Sequence, residues 1–206
     1  MRRRGTVVIA LLLSAACAGC GSWTGGGFRA DGPEMPPLRQ VLSLEPGRVV
    51  ADVGAGKGQL TFALAREVGP NGRVFSTEID AGRLRALSEA LVAAKLDNVT
   101  VVEAYSSEIR LPPNCCDAIV LRRVYHHLAD PSGINASLLR SLRPGGVLAV
   151  IDFPPPFFLS RGDFGVPAKI VIAEVTSHGF QLLRLIDDWP GRGPLESYCA
   201  VFRKPA

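Results

Sequence analysis

A chain of 206 residues fits one domain of ordinary size, long enough to bury a core without disulfides or metals. Hydrophobic residues make up 47 % and charged residues 20 %, which excludes a disordered chain. The formal charge of +4 falls to about +1 once Arg2, Arg3 and Arg4 are set aside, and with no basic stripe of interleaved aromatics nucleic-acid binding is unsupported.

Arg2–Arg4 form a positive head, and Thr6 to Ala16 form an apolar stretch too short to span a bilayer. Small residues follow, ending in Ala18-Gly19-Cys20. This resembles a bacterial lipoprotein box, whose cysteine is acylated after cleavage. Cys17 stands where that pattern prefers leucine, and Cys17 is itself a second candidate for the lipid. Residues 1–20 are expected to be an export signal. The mature chain is then periplasmic, or held at a membrane through a lipid anchor alone. A start at Met35 is the alternative and would leave a cytoplasmic protein. Residues 21–37 begin with the Gly-rich, aperiodic "GSWTGGGFRADGPE" and are expected to be a flexible linker to a domain over 38–206.

From Leu38 apolar runs alternate with helical patterns. Strands are expected at Gly47–Val53, Arg73–Thr77, Val99–Glu103, Asp117–Leu121 and Val147–Phe153. Helices are expected at Gln59–Val68, Ala81–Leu96, Ser132–Leu142 and Pro167–His178. "RPGG" at 143–146 is expected to stop the third helix with a tight turn. Two late strands, Phe180–Ile186 and Ser197–Arg203, break the alternation, which points to antiparallel pairing at the end. The pattern predicts an α/β fold with a doubly wound, mostly parallel sheet covered on both faces.

"VADVGAGKG" at 50–58 places Gly54, Gly56 and Gly58 after a strand and before a helix, where the chain can turn tightly and a ligand can reach backbone. Lys57 is followed by Gly58-Gln59, so the triphosphate loop ending in Lys-Ser/Thr is not met. Gln59 also stands where the dinucleotide fingerprint needs its third glycine, which disfavours an NAD-dependent oxidoreductase. Asp52 precedes the glycines. A carboxylate there would repel a pyrophosphate and attract an ammonium or sulfonium group.

The stretch "VVADVGAGKGQL" resembles the first motif of class I S-adenosylmethionine-dependent methyltransferases. Glu78 in "VFSTEID" lies at the end of the second strand, where a carboxylate can accept ribose hydroxyls. "CCDAIVL" with "VYHHLADP", and "LRSLRPGGVLAVID", are similar to later segments of the same family, in the right order. The resemblance implies a seven-stranded, Rossmann-like methyltransferase fold with an antiparallel C-terminal strand. It implies S-adenosylmethionine as cofactor, held by Asp52, Gly54, Ala55, Gly56, Gly58, Glu78, Ile79, Ala104 and Tyr105. After the third strand many members carry an acid that faces adenine. Here the stretch is "EAYSSEI", with Tyr105, Ser106 or Ser107 as wall candidates and Glu108 as a displaced acid.

Methyl transfer from a sulfonium needs the nucleophile held in line, and a base only if the nucleophile carries a proton. His126 and His127, after the fourth strand, are the catalytic candidates. His178 is distant in the chain and no metal-ligand spacing is evident, so no metal site is expected. Phe153, Phe157, Phe158 and Phe164 in "DFPPPFFLSRGDFGVP" form a lid, a packed loop or, less favoured, a membrane contact beside a lipid anchor. Cys115, Cys116 and Cys199 do not make a disulfide framework. With no long insertion, a small-molecule acceptor is favoured over a macromolecule. The alternative function is a non-catalytic adenosylmethionine- or nucleoside-binding module.

Overall fold

The computed structural model describes residues 28–155, 165–191 and 197–206. The expected export signal and Phe157, Phe158 and Phe164 of the aromatic loop lie outside the described residues.

Seven strands form one sheet: Val49–Val53 (β1), Arg73–Glu78 (β2), Val99–Glu103 (β3), Cys116–Arg122 (β4), Leu142–Asp152 (β5), Gln181–Trp189 (β6) and Ser197–Arg203 (β7). Their order is β3-β2-β1-β4-β5-β7-β6. β1 pairs in parallel with β2 and β4, and β4 pairs in parallel with β5. β7 is inserted antiparallel between β5 and β6. The expected doubly wound, mostly parallel sheet with an antiparallel C-terminal strand is what the chain forms.

The helices are Met35–Val41 (α1), Gln59–Val68 (α2), Ala81–Ala93 (α3), Pro131–Ser141 (α4) and Ala168–Ser177 (α5). Alternation along each strand feeds two cores. Val50, Val120, Ile151 and Val201 pack with Leu38 of α1 and Leu64 of α2. Ala51, Ile119, Val150 and Phe202 pack with Leu138 of α4 and Val171 of α5. Each fully buried leucine of this kind contributes about 2 kcal/mol. No helix among the described residues is long and apolar enough to cross a membrane.

Two local expectations are corrected. Residues 28–37 are not a linker: Phe28, Glu34 and Met35 are buried, and the chain enters the first core through α1. Pro36 and Pro37 favour that helix start, because the first helical N–H groups need no intrahelical acceptor. "RPGG" is not a turn that ends a helix. It lies inside β5 as a bulge, with the register of β4 and β5 slipping between Cys116 and Ala118. Gly145 takes φ +76° there, and its N–H donates to the Lys204 carbonyl just past β7.

Candidate active site

Chain order reverses between β1 and β4: β2 and β3 lie to one side of β1, and β4 and β5 to the other. Crevices at the carboxyl ends of such strands are where ligands sit in open α/β sheets. Here they open a cleft of about 650 Å³. Its wall includes Gly54, Gly56, Thr77, Glu78, Ile79, Ala104, Tyr105, Ser106, Arg122, Arg123, Val124 and His127.

The three glycines of the turn have different tasks. Gly54 sits at φ +74°, and a Cβ there would come within 2.6 Å of Val124 in the loop after β4. Gly56 sits at φ +55° with nothing within 4 Å of an added Cβ, so it leaves room in the cleft. Gly58, at φ +76°, begins α2, and a Cβ there would lie 2.3 Å from Leu87 of α3. Gly58 thus serves helix packing. Gly58 and Ala55, both expected to touch the cofactor, stand outside the cleft wall.

Asp52 also stands behind the wall. It is buried, and its Oδ2 accepts from Thr61 Oγ1 at 2.6 Å, with Ser76 Oγ another 2.8 Å from the Thr61 hydroxyl. Burial pushes its carboxyl up to about 6, opposed by the Thr61 hydrogen bond and the Arg122 charge. Its charge therefore acts on the cleft from beneath the glycine turn.

Glu78 closes β2 and faces the cleft with both oxygens engaged. Gly56 N–H donates to Oε2 at 2.9 Å, and the N–H groups of Ile79 and Asp80 donate to Oε1 at 2.9 and 3.1 Å. Arg83 approaches Oε2 at 3.8 Å. A carboxylate oxygen has two acceptor positions, so Oε2 retains one for a hydroxyl. Next to it Thr77 contributes to the cleft wall, and its Oγ1 is fully buried with no hydrogen-bond partner. Sequence patterning gave no sign of Thr77, which reads as one more strand residue.

The β3 loop differs from expectation. Tyr105 is half exposed and its ring carries the Arg110 guanidinium at 4.6 Å. Tyr105 and Glu108 close a small turn through their backbones. The Glu108 carboxylate accepts from Arg140 at 2.6 Å and is not part of the cleft wall.

The two histidines occupy a short 3₁₀ turn, Tyr125–His127, and divide the expected role. His127 lines the cleft. His126 is buried, and its Nδ1 lies 2.8 and 3.0 Å from the two oxygens of Asp152, the last residue of β5. The His126 backbone N–H donates to the same carboxylate at 3.2 Å. The imidazoles touch with centroids 3.9 Å apart and planes tilted by 46°, and Phe153 flanks His126 at 5.0 Å. Asp152 is invisible as a functional residue in sequence because it looks like the end of an apolar strand.

On the same side Arg122 donates through Nε to Glu34 at 2.8 Å and through a second nitrogen to the other Glu34 oxygen. Trp189 Nε1 donates to Glu34 as well, at 3.3 Å. Among the described residues no group of three His, Cys, Asp or Glu converges to hold a metal.

Residues 51–150 match the sequence profile described as a methyltransferase domain. The ubiquinone/menaquinone biosynthesis C-methyltransferase UbiE of Saccharophagus degradans is 30 % identical over 118 residues, which is 57 % of this chain and 47 % of that protein. The chain thus spans about half the length of the curated relative it matches. A methyltransferase of known structure from Aquifex aeolicus, described as SAM-dependent, superposes with a TM-score of 0.73 at 22 % identity, covering 85 % of this chain and 91 % of the other. A structure described as a possible exported protein from Bordetella parapertussis superposes with a TM-score of 0.65 at 19 % identity, covering 82 % and 65 %. Residues 51–150 thus resemble a methyltransferase domain, and the seven-stranded sheet shares the fold of a structure described as a SAM-dependent methyltransferase.

Proposed function

We propose that the protein transfers the methyl group of S-adenosylmethionine to a small-molecule acceptor held between the ends of β4 and β5. The observation that carries this is the cleft at the β1/β4 reversal, which joins the glycine turn and Glu78 to His127. The residues present fit the cofactor. Glu78 Oε2 offers an acceptor position to a ribose hydroxyl. Gly56 leaves space where any side chain would intrude. When bound, S-adenosylmethionine supplies an electrophilic methyl on a sulfonium.

The chain's own part is alignment and, for a protic acceptor, proton removal. His127 faces the acceptor side of the cleft. Asp152 accepts a hydrogen bond from His126 Nδ1–H and fixes that ring, against which His127 packs. His127 is therefore the base candidate, and His126 with Asp152 positions it.

Calorimetry with S-adenosylmethionine and its demethylated product tests cofactor binding. No binding of either ligand would sink the proposal. Binding without methyl release to a broad acceptor panel would favour the non-catalytic module. His127→Ala is expected to lower turnover of a protic acceptor about 100-fold with cofactor affinity unchanged.

The head of the chain supports export and a lipid anchor at Cys20 or Cys17. Phe28 is packed in the domain, and residues 21–27 lie between it and Cys20. Seven residues span at most roughly 25 Å, so an anchor at Cys20 would keep the domain close to a membrane surface. Docking of residues 28–34 favours a start upstream of Met35, because Glu34 pairs with Arg122. The mass of the mature N-terminal peptide tests this: a diacylglyceryl cysteine is expected, and a chain beginning at Met35 would refute it.

A further inference from the structure

Cys116 opens β4 and Cys115 immediately precedes it, at the end of the sheet away from the cleft. Because Cys115 lies outside the strand, its side chain is not bound to the alternation of faces, and the two sulfurs lie 2.7 Å apart. The local backbone explains the convergence. Asn114, just before the pair, takes φ +52°. Its N–H donates to the Arg140 carbonyl, and its side-chain oxygen accepts from Lys204 Nζ at 2.8 Å. The bulge between Cys116 and Ala118 then shifts the register just after the pair.

The two sulfurs are unequal. Cys115 is partly exposed and Cys116 is buried. A hydrogen bond from Cys116 holds the Cys115 thiol below its ordinary range, while the hydrogen bond with Cys115 and burial push Cys116 up. A partly exposed, more acidic thiol beside a buried, less acidic one is the arrangement of an attacking and a resolving cysteine. Cys199 is fully buried, and burial pushes its thiol up to about 12, so it is no competitor.

We propose that Cys115 and Cys116 are a redox-active vicinal dithiol that closes to a disulfide by exchange with a small-molecule disulfide. The Cys115 thiolate attacks one sulfur of the oxidant, forming a mixed disulfide and releasing one thiolate. Cys116 then attacks Cys115 Sγ, the second small thiol leaves, and the Cys116 proton goes to solvent or to a leaving thiolate. Two protein thiols are oxidised and one disulfide is reduced to two thiols.

The test uses the full chain, reduced and then incubated with glutathione disulfide. Free thiols are alkylated and the peptide containing both cysteines is weighed. The expected product has lost two hydrogens, carries neither glutathione nor alkyl group, and recovers both thiols with dithiothreitol. Cys116→Ala is expected to trap a lasting glutathione adduct on Cys115. Cys115→Ser, which alters the partly exposed sulfur and spares the core, is expected to leave Cys116 unmodified. A wild-type chain that keeps the adduct on Cys115, or whose two thiols both remain alkylatable, would overturn the proposal.

Discussion

Asp52 illustrates how a single residue is read differently in sequence and in space. Before the glycines it looks like a ligand, yet its carboxylate is bound to Thr61 beneath the turn. Burial raises its pKa from 3.8 to about 6, so the folded state holds the proton more tightly than the unfolded chain. Stability from this group is fully present below pH 4 and is lost as pH rises through about 6, after which it is flat. The total is on the order of 3 kcal/mol. Denaturant melts of wild type and Asp52→Asn from pH 4 to 7.5 check this: the difference between them should change across that window and not above it. Thr77 makes the complementary case. Its hydroxyl is already buried without a partner, so Thr77→Val should leave the apo fold as stable or more so. Denaturant unfolding of wild type and Thr77→Val checks this, and a clear loss of stability would refute it.

Among the elements, the glycine turn ties a strand, two helices and the β4 loop together. Gly58→Ala would place a methyl against Leu87 and hold a non-glycine residue at φ +76°. The expected cost is about 2 kcal/mol, read as a lower melting temperature. Gly58→Ala with Leu87→Ala should remove the clash but keep the backbone strain. Most strands and helices were legible because their apolar periods are clean: Leu60, Ala63, Leu64 and Val68 mark one face of α2. "RPGG" was misread because proline and glycine announce a turn. Only pairing with the chain beyond β7 shows that the same residues form a bulge inside a strand. α1 was missed because seven residues are too few to display a period beside a glycine-rich lead.

For the molecule as a whole, the segment ahead of α1 closes a circuit that spans the chain. Glu34 meets Arg122, 88 residues on, and Trp189, 155 residues on. Phe28 lies 5.4 Å from the Arg122 guanidinium. Glu34→Ala removes a carboxylate that takes two hydrogen bonds from that buried cation, and stability should fall by roughly 2 kcal/mol. Glu34→Ala combined with Arg122→Met should recover most of it, measured by denaturant unfolding. A double variant as unstable as the single one would mean that Glu34 acts through Trp189 and α1 instead.

By itself the sequence determined the alternating sheet and its helices, the glycine turn with Glu78 beyond it, and the histidine pair after the fourth strand. These are local properties: period, turn chemistry and spacing travel with a few consecutive residues. The tertiary structure alone decided that Asp52 is bound under the turn and that His127 rather than His126 reaches the cleft. It alone joined Asp152 to His126, Glu34 to Arg122 and one cysteine sulfur to its neighbour's. Those outcomes depend on burial and on groups brought together from distant parts of the chain, which no short stretch of residues encodes.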